Sequence, residues 1–139
     1  MNDRVGKSAV ESFVTSAADV APEAWDDARG RISFHTLIGG GATPSNGLVA
    51  GIANVEPGGN LAKHRHAPAE IYYAVEGAAT VTIDGNARVV SAGAAVFIPG
   101  DAWHQIDNAF DKPFRFLYVF PADRFEDVEY VFEGGLYKF

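Results

Sequence analysis

The sequence predicts an all-β single domain of barrel type, and three observations carry that expectation. Short apolar or alternating segments recur from Arg31 onward, at 31–38, 47–56, 61–66, 70–76, 78–84, 86–91, 94–98, 103–109, 113–120 and 127–132, each of strand rather than helix length. Turn-forming residues punctuate them: Gly39-Gly40-Gly41, Pro44 to Gly47, Pro57-Gly58-Gly59, Asp84-Gly85, Ala92-Gly93 and Pro99-Gly100-Asp101. The total of 139 residues is one domain's worth of chain.

Taken in order, residues 1–30 are polar and alanine-rich, and Ala9, Val10, Phe13, Val14 and Ala17 fall at helical spacing. This predicts a short amphipathic helix near 7–18. Pro22 and the run Glu23 to Asp27 break it or start another turn, and Trp25 is expected to pack on the body of the domain. The chain therefore divides into a partly helical N-terminal extension, 1–30, and a barrel, 31–139. Within the barrel, Asp84-Gly85 between Thr80–Ile83 and Arg88–Val90 is the clearest tight-hairpin signal.

Composition narrows the function. Hydrophobic residues make up 47% and charged residues 21%, enough for a packed core. With 11 basic against 18 acidic residues the net charge is −7, and no basic patch appears, so a nucleic-acid partner is not expected. No apolar run approaches the roughly 18 residues needed to cross a membrane, and no secretion signal opens the chain, so the expected location is the cytoplasm. Cysteine is absent, which removes disulfides, thiolate ligands and cysteine nucleophiles. The four histidines are His35, His64, His66 and His104.

Three of these histidines form a pattern. His64 and His66 are two apart in a strand-like segment, so they share a face while Lys63 and Arg65 take the other. Glu70 opens the next strand after Ala67-Pro68-Ala69, and Tyr72 follows on its face. A hairpin would gather His64, His66 and Glu70 around one point, and closure of the barrel would bring His104, after its Pro-Gly-Asp turn, opposite them. Imidazole and carboxylate together suit a first-row transition metal.

The spacing is more specific than its parts. Gly58, five residues, His64-x-His66, three residues, Glu70, six residues and Gly77 form one run. Gly93, five residues, Pro99, then His104, three residues and Asn108 form a second. Both resemble the two motifs of the cupin superfamily, with Asp101 standing where the family has glycine. Asp tolerates a positive φ better than most residues. The resemblance implies a small double-stranded β-helix barrel holding one divalent transition metal ion (Mn, Fe, Ni or Zn) on His64, His66, Glu70 and His104. His35 matches no motif position and reads as structural, on a strand at the pocket or at a subunit contact.

The surrounding text points further. "GLVAGIANVEPGGNLAKHRHAPAEIYYAVEG" and "FRFLYVFPADRFEDVEY" resemble the short cupin-type dimethylsulfoniopropionate lyases of the DddK-like kind, over roughly Gly47 to Phe132. The resemblance implies β-elimination of dimethyl sulfide from a short carboxylate. That chemistry needs a Lewis acid on the carboxylate and a base beside Cα–H. Tyr72 matches the base, provided that its pKa falls below the usual value of about 10, and Tyr130 matches a second pocket tyrosine. The sulfonium suits aromatic faces. Tyr73, Trp103, Phe97, Phe116 and Tyr118 are candidates, with Trp103 beside His104 the preferred pocket wall. Arg124 and Glu129 read as loop anchors, and Asp107 and Asn108 as closing a strand end.

Two other classes use the same ligands: another metal-dependent cupin enzyme, such as a dioxygenase or sugar isomerase, and a non-catalytic small-molecule-binding cupin. A phenolate on the metal side favours proton abstraction, which an oxygenase does not require, and intact metal ligands weigh against the non-catalytic reading. The resemblance also implies a homodimer.

Overall fold

The computed structural model describes residues 10–136. Among them the chain forms twelve strands: β1 (Glu23–Asp27), β2 (Gly30–Ile38), β3 (Val49–Val55), β4 (Asn60–Arg65), β5 (Glu70–Glu76), β6 (Ala78–Ile83), β7 (Asn86–Ser91), β8 (Ala95–Ile98), β9 (His104–Asp107), β10 (Phe114–Phe120), β11 (Val131–Phe132) and β12 (Gly135–Leu136). Two single 3-10 turns, Ala17–Asp19 and Phe125–Asp127, are the helical elements among the described residues. The fold is all-β, as the segment pattern predicts.

All strand pairs are antiparallel, in the order β7-β6-β9-β4-β2-β3-β10-β5-β8, with β1 added to β2, and β11 joined to β4 and β12. The path curls into a nearly closed barrel whose inner faces form one core. Alternation puts Ile32 and Phe34 of β2, Val49, Ala53 and Val55 of β3, and Phe114, Phe116, Tyr118 and Phe120 of β10 inside. Burying such side chains stabilises the fold by about 1.5–3 kcal/mol each.

The turns behave as their residues require. Asp84 and Gly85 both take positive φ, 46° and 85°, between the paired residues Ile83 and Asn86, the conformation of a tight hairpin turn. Asp101 also has positive φ, 62°, and so fills the place where the motif expects glycine. Gly77 is obligatory for a second reason: a Cβ there would lie 2.0 Å from the Pro113 carbonyl oxygen. Asn108 closes its strand end by donating through Nδ2 to the carbonyls of Val55 and Lys112 at 2.9 and 2.8 Å.

Three expectations need correction. The helix expected over 7–18 begins outside the described residues. Over 10–16 the chain is irregular, with only the turn at Ala17–Asp19 beyond it. The Glu23–Asp27 run is a strand, paired along its length with β2. Its single buried residue is Trp25, so it lacks the apolar alternation that would mark a strand. And β4 and β5 are not a hairpin. They pair with different neighbours, and the turn between them carries the chain from one wall of the barrel to the other.

Candidate metal centre and adjoining cavity

His64 and His66 share the inward face near the end of β4, 0% and 2% exposed, while Lys63 and Arg65 face outward. A register irregularity between Leu61 and His64 sets this phase. β9 pairs with β4 so that His104 lies directly opposite His64, their ring centroids 4.0 Å apart. Strand register, rather than barrel closure alone, therefore delivers the third histidine. Glu70 enters from β5 on the other wall, with Oε1 3.0 Å from His66 Nε2 and 3.3 Å from His104 Nε2. The ligand atoms of the three histidines all lie within 4.8 Å of one another.

Backbone carbonyls fix the rings. His64 Nδ1 contacts Ala62 O at 2.7 Å, His66 Nδ1 contacts Pro68 O at 2.9 Å, and His104 Nδ1 contacts Ala102 O at 2.8 Å. A carbonyl can only accept, so each Nδ1 carries the proton, and Nε2 is left to face the cluster. The Nε2 atoms of His64 and His104 are buried without a hydrogen-bond partner, although Glu70 stands close to the latter. Convergent imidazole nitrogens with a carboxylate oxygen beside them are the donor set of a first-row divalent cation. The residues therefore fit the metal that the sequence motifs imply.

The electrostatics agree. Burial, then the neighbouring His104 and His66, hold the His64 pKa well below its ordinary value. Burial also opposes charge on His66, but the hydrogen bond and negative charge of Glu70 outweigh it and raise the pKa. Burial would lift Glu70, yet the approach of His104 and His66 holds it below the usual carboxylate range.

Tyr72, on the inward face of β5, is 1% exposed, and its hydroxyl is buried without a hydrogen-bond partner. Burial first, then the charges of Glu70 and Tyr130, raise its pKa well above the ordinary phenol value. Tyr130, just ahead of β11, stacks on His64 at 5.0 Å and 13° and stands 4.9 Å from His66. Burial, then Glu70, raise its pKa as well.

A cavity adjoins the cluster. Glu70, Tyr72 and Tyr130 are among its lining residues. Trp25, Phe34, Phe116, Tyr118 and Phe125, with Ile32, Ala53 and Leu61, line the rest. No Lys or Arg lines it. The Tyr118 hydroxyl hydrogen-bonds to Thr36 Oγ1 at 3.0 Å. Its ring passes over Gly51, where a Cβ would lie only 2.3 Å from Tyr118 Cζ.

The structure thus brings His64, His66, Glu70, His104, Tyr72 and Tyr130 together, and does not bring Trp103 to them. Trp103 lies on the outer side, with Lys63 and Arg65 over its ring at 5.6 and 5.2 Å. Phe97 and Tyr73 are 65% and 44% exposed on the outer face, whereas Phe116 and Tyr118 do line the cavity. Sequence reasoning missed Trp25, Phe34 and Phe125 as cavity walls. Alternation along β2 marks Phe34 as inward, but nothing local marks the other two. His35 Nδ1 donates to Val20 O at 2.9 Å. Arg124 pairs with Glu126 in the loop ahead of β11.

Comparisons with known proteins converge on one family. The cupin-domain family model matches residues 51–120. The dimethylsulfoniopropionate lyase DddW of Ruegeria pomeroyi is 42% identical over 110 residues, 79% of this chain and 72% of its own length. A glucose-6-phosphate isomerase of Thermococcus onnurineus is 39% identical over 83 residues, 54% of this chain and 44% of its own. Among solved structures, the polyketide cyclase RemF of Streptomyces resistomycificus superposes with a TM-score of 0.74 at 25% identity, covering 88% of this chain and 87% of its own.

Proposed function

The chain belongs to the cupin family, and from that premise we propose that it is a metal-dependent carbon–sulfur lyase that cleaves dimethylsulfoniopropionate to dimethyl sulfide and acrylate. The observation that carries the reading is the placement of Tyr72. It stands buried beside a three-histidine, one-carboxylate centre and opens onto an aromatic cavity. The similarity to DddW supports the same substrate.

A divalent cation held by His64, His66, His104 and Glu70 supplies Lewis acidity for the substrate carboxylate and a positive charge that offsets Glu70 beside Tyr72. The chain's own residues do the rest. Tyr72, as the phenolate that the bound cation would favour, takes the proton from Cα at Oη and gives it to solvent once the products have left. The Cα–H electron pair becomes the Cα–Cβ double bond, and the Cβ–S bond breaks with its pair going to sulfur. Dimethyl sulfide and acrylate leave, and the sulfonium charge is neutralised. Tyr130, held against His64 and His66, keeps its proton and donates from Oη to the carboxylate. The apolar walls exclude water from the reacting carbons.

The isomerase similarity offers a second reading, but the cavity lacks a basic side chain to receive a phosphate. Headspace gas chromatography tests the proposal. Protein reconstituted in parallel with Mn, Fe, Ni and Zn is expected to release dimethyl sulfide from dimethylsulfoniopropionate, and a His104→Ala variant is not. Silence from every metal-loaded sample, with metal content verified, would overturn the lyase reading. We further propose a cytoplasmic homodimer. Light scattering showing a monomer would contradict the dimer.

A further inference from the structure

We propose that the open seam between β7 and β8 is the entrance through which a small carboxylate reaches the buried centre, and that Arg88 draws it in. This rests on the reading above only in taking the three-histidine, one-carboxylate cluster as a metal site that receives a carboxylate.

The centre is closed: His64, His66, His104, Glu70 and Tyr72 are each at most 4% exposed. Along most of the barrel wall, neighbouring strands are joined by backbone hydrogen bonds that a passing molecule would have to break. β7 and β8 are the two ends of the strand path and do not pair with each other, so no ladder has to break at their seam. A cleft of about 450 Å³ lies there, lined by residues of β6, β7, β8 and the adjoining turns. That is room for a short carboxylate.

Register sets the cleft against the centre. Residues directly opposite on neighbouring antiparallel strands share a face. Ile83 lies opposite His104, and Asn86 opposite Ile83. On the far side of the seam, Val96 lies opposite Tyr72. The inward layer that holds the centre therefore runs His104, Ile83, Asn86, seam, Val96, Tyr72, and the rings of Tyr72 and His104 stand 6.3 Å apart. Ile83, Asn86 and Val96 line the cleft. Ile83 and Val96 are half-buried, whereas His104 and Tyr72 are 1% exposed. Ile83 and Val96 are thus the side chains between cleft and centre.

Charge suits the cleft to an anion. Arg88 lies opposite Val81, which is 2% exposed. Its side chain therefore leaves the inward face of β7, one layer or about 7 Å along the strand from Asn86. It lines the cleft and forms no ion pair among the described residues, whereas Arg29, Lys63, Arg65, Arg115 and Arg124 each pair with a carboxylate. The other charged lining residue, Asp84, accepts a hydrogen bond from the Trp103 N–H at 3.1 Å. A chain of net charge −7 repels anions over most of its surface. A guanidinium inside a concave cleft gives a carboxylate a place to arrive.

The test reads arrival at the metal rather than turnover. Propanoate is mixed with cobalt-loaded protein by stopped flow, and the visible cobalt band reports when the carboxylate joins the centre. At low salt Arg88→Gln should slow arrival about fivefold and Arg88→Lys less than twofold, and high salt should erase the difference. Because the chain has no cysteine, Asn86→Cys can be labelled singly with a bulky maleimide, which should slow arrival more than Arg88→Gln does. The same label on Leu48→Cys, 57% exposed and outside the cleft, should leave the rate unchanged. An unslowed rate in labelled Asn86→Cys, or in Arg88→Gln at low salt, would overturn the proposal. A cobalt band that ignores propanoate would contradict the carboxylate-binding reading itself, and the same comparisons with azide, which binds cobalt directly, then decide the entrance alone. Protein that takes up propanoate through the cleft yet releases no dimethyl sulfide keeps this proposal and loses the lyase reading.

Discussion

Two faces of the same strands carry opposite chemistry. On β5 the inward residues Glu70, Tyr72 and Ala74 are 4%, 1% and 0% exposed, while their neighbours Ile71, Tyr73 and Val75 are 46%, 44% and 47% exposed. On β4 the inner face presents His64 and the outer presents Lys63 and Arg65. The two tryptophans repeat the contrast, each beside a cation, yet only Trp25 reaches the cavity. Residue type alone therefore does not make a site residue here. Strand phase decides which tyrosine meets the metal centre and which meets water.

The largest expected effect breaks this comparison at the ligands. Glu70→Gln or His64→Ala should weaken zinc binding at least about 100-fold, whereas Lys63→Met, one residue from His64 but outward, should leave it unchanged. Calorimetric zinc titration reads the difference. In thermal unfolding, zinc at 100 times its Kd should stabilise the wild type and Lys63→Met by about 2.7 kcal/mol, and His64→Ala hardly at all.

Next in size is a contrast between two turns. Gly77→Ala places a Cβ 2.0 Å from the Pro113 carbonyl at a φ of 76°, and should cost about 3 kcal/mol or more. Gly85→Ala, at the hairpin tip with φ of 85° and no neighbour within 4 Å, should cost only the backbone term, about 1–2 kcal/mol. Urea unfolding of the two variants measures both.

A smaller effect is a pH slope. His64 is held neutral in the folded chain, while the unfolded chain takes up that proton near the ordinary histidine value of about 6.5. The stability it confers is therefore present above that pH and lost as pH falls below it. The slope is at most about 1.4 kcal/mol per pH unit. Glu70, with a lowered pKa, adds a loss in the same direction below the carboxylate range. His66, with a raised pKa, acts oppositely: its contribution is complete below about 6.5 and fades as pH rises through its folded value. Melting temperatures in chelator from pH 7 to 5 should fall, and His64→Phe should flatten the fall. An unchanged slope in that variant would contradict the assignment.

Smallest of all, Trp103→Phe should alter turnover less than twofold, because that ring lies outside under Lys63 and Arg65. Steady-state kinetics checks it.

How much of this was legible in the sequence depended on the range of the determining interaction. His64-x-His66, Glu70 and His104 are legible because period two and motif spacing carry them, and Asp84-Gly85 because a two-residue turn has its own chemistry. The Glu23–Asp27 strand is not, since its one inward residue gives no periodicity and its pairing with β2 is what makes it a strand. Trp103 reads as a pocket wall because it adjoins His104 in sequence, and Trp25 reads only as packing on the body of the domain. An adjacent residue in a strand faces away, and the distant Trp25 arrives through tertiary pairing. The lowering of the Tyr72 pKa that the sequence reading requires comes only from a nearby divalent cation, whereas burial and Glu70 push it up in the chain itself. Since a base works deprotonated, that direction places the rising limb of activity on the alkaline side.

The most direct test of the account is turnover of dimethylsulfoniopropionate by wild type and Tyr72→Phe at equal, measured metal content. The account predicts full metal occupancy in both and a loss of dimethyl sulfide release of about 10²–10⁴-fold in the variant. Retained turnover with metal bound would contradict Tyr72 as the base.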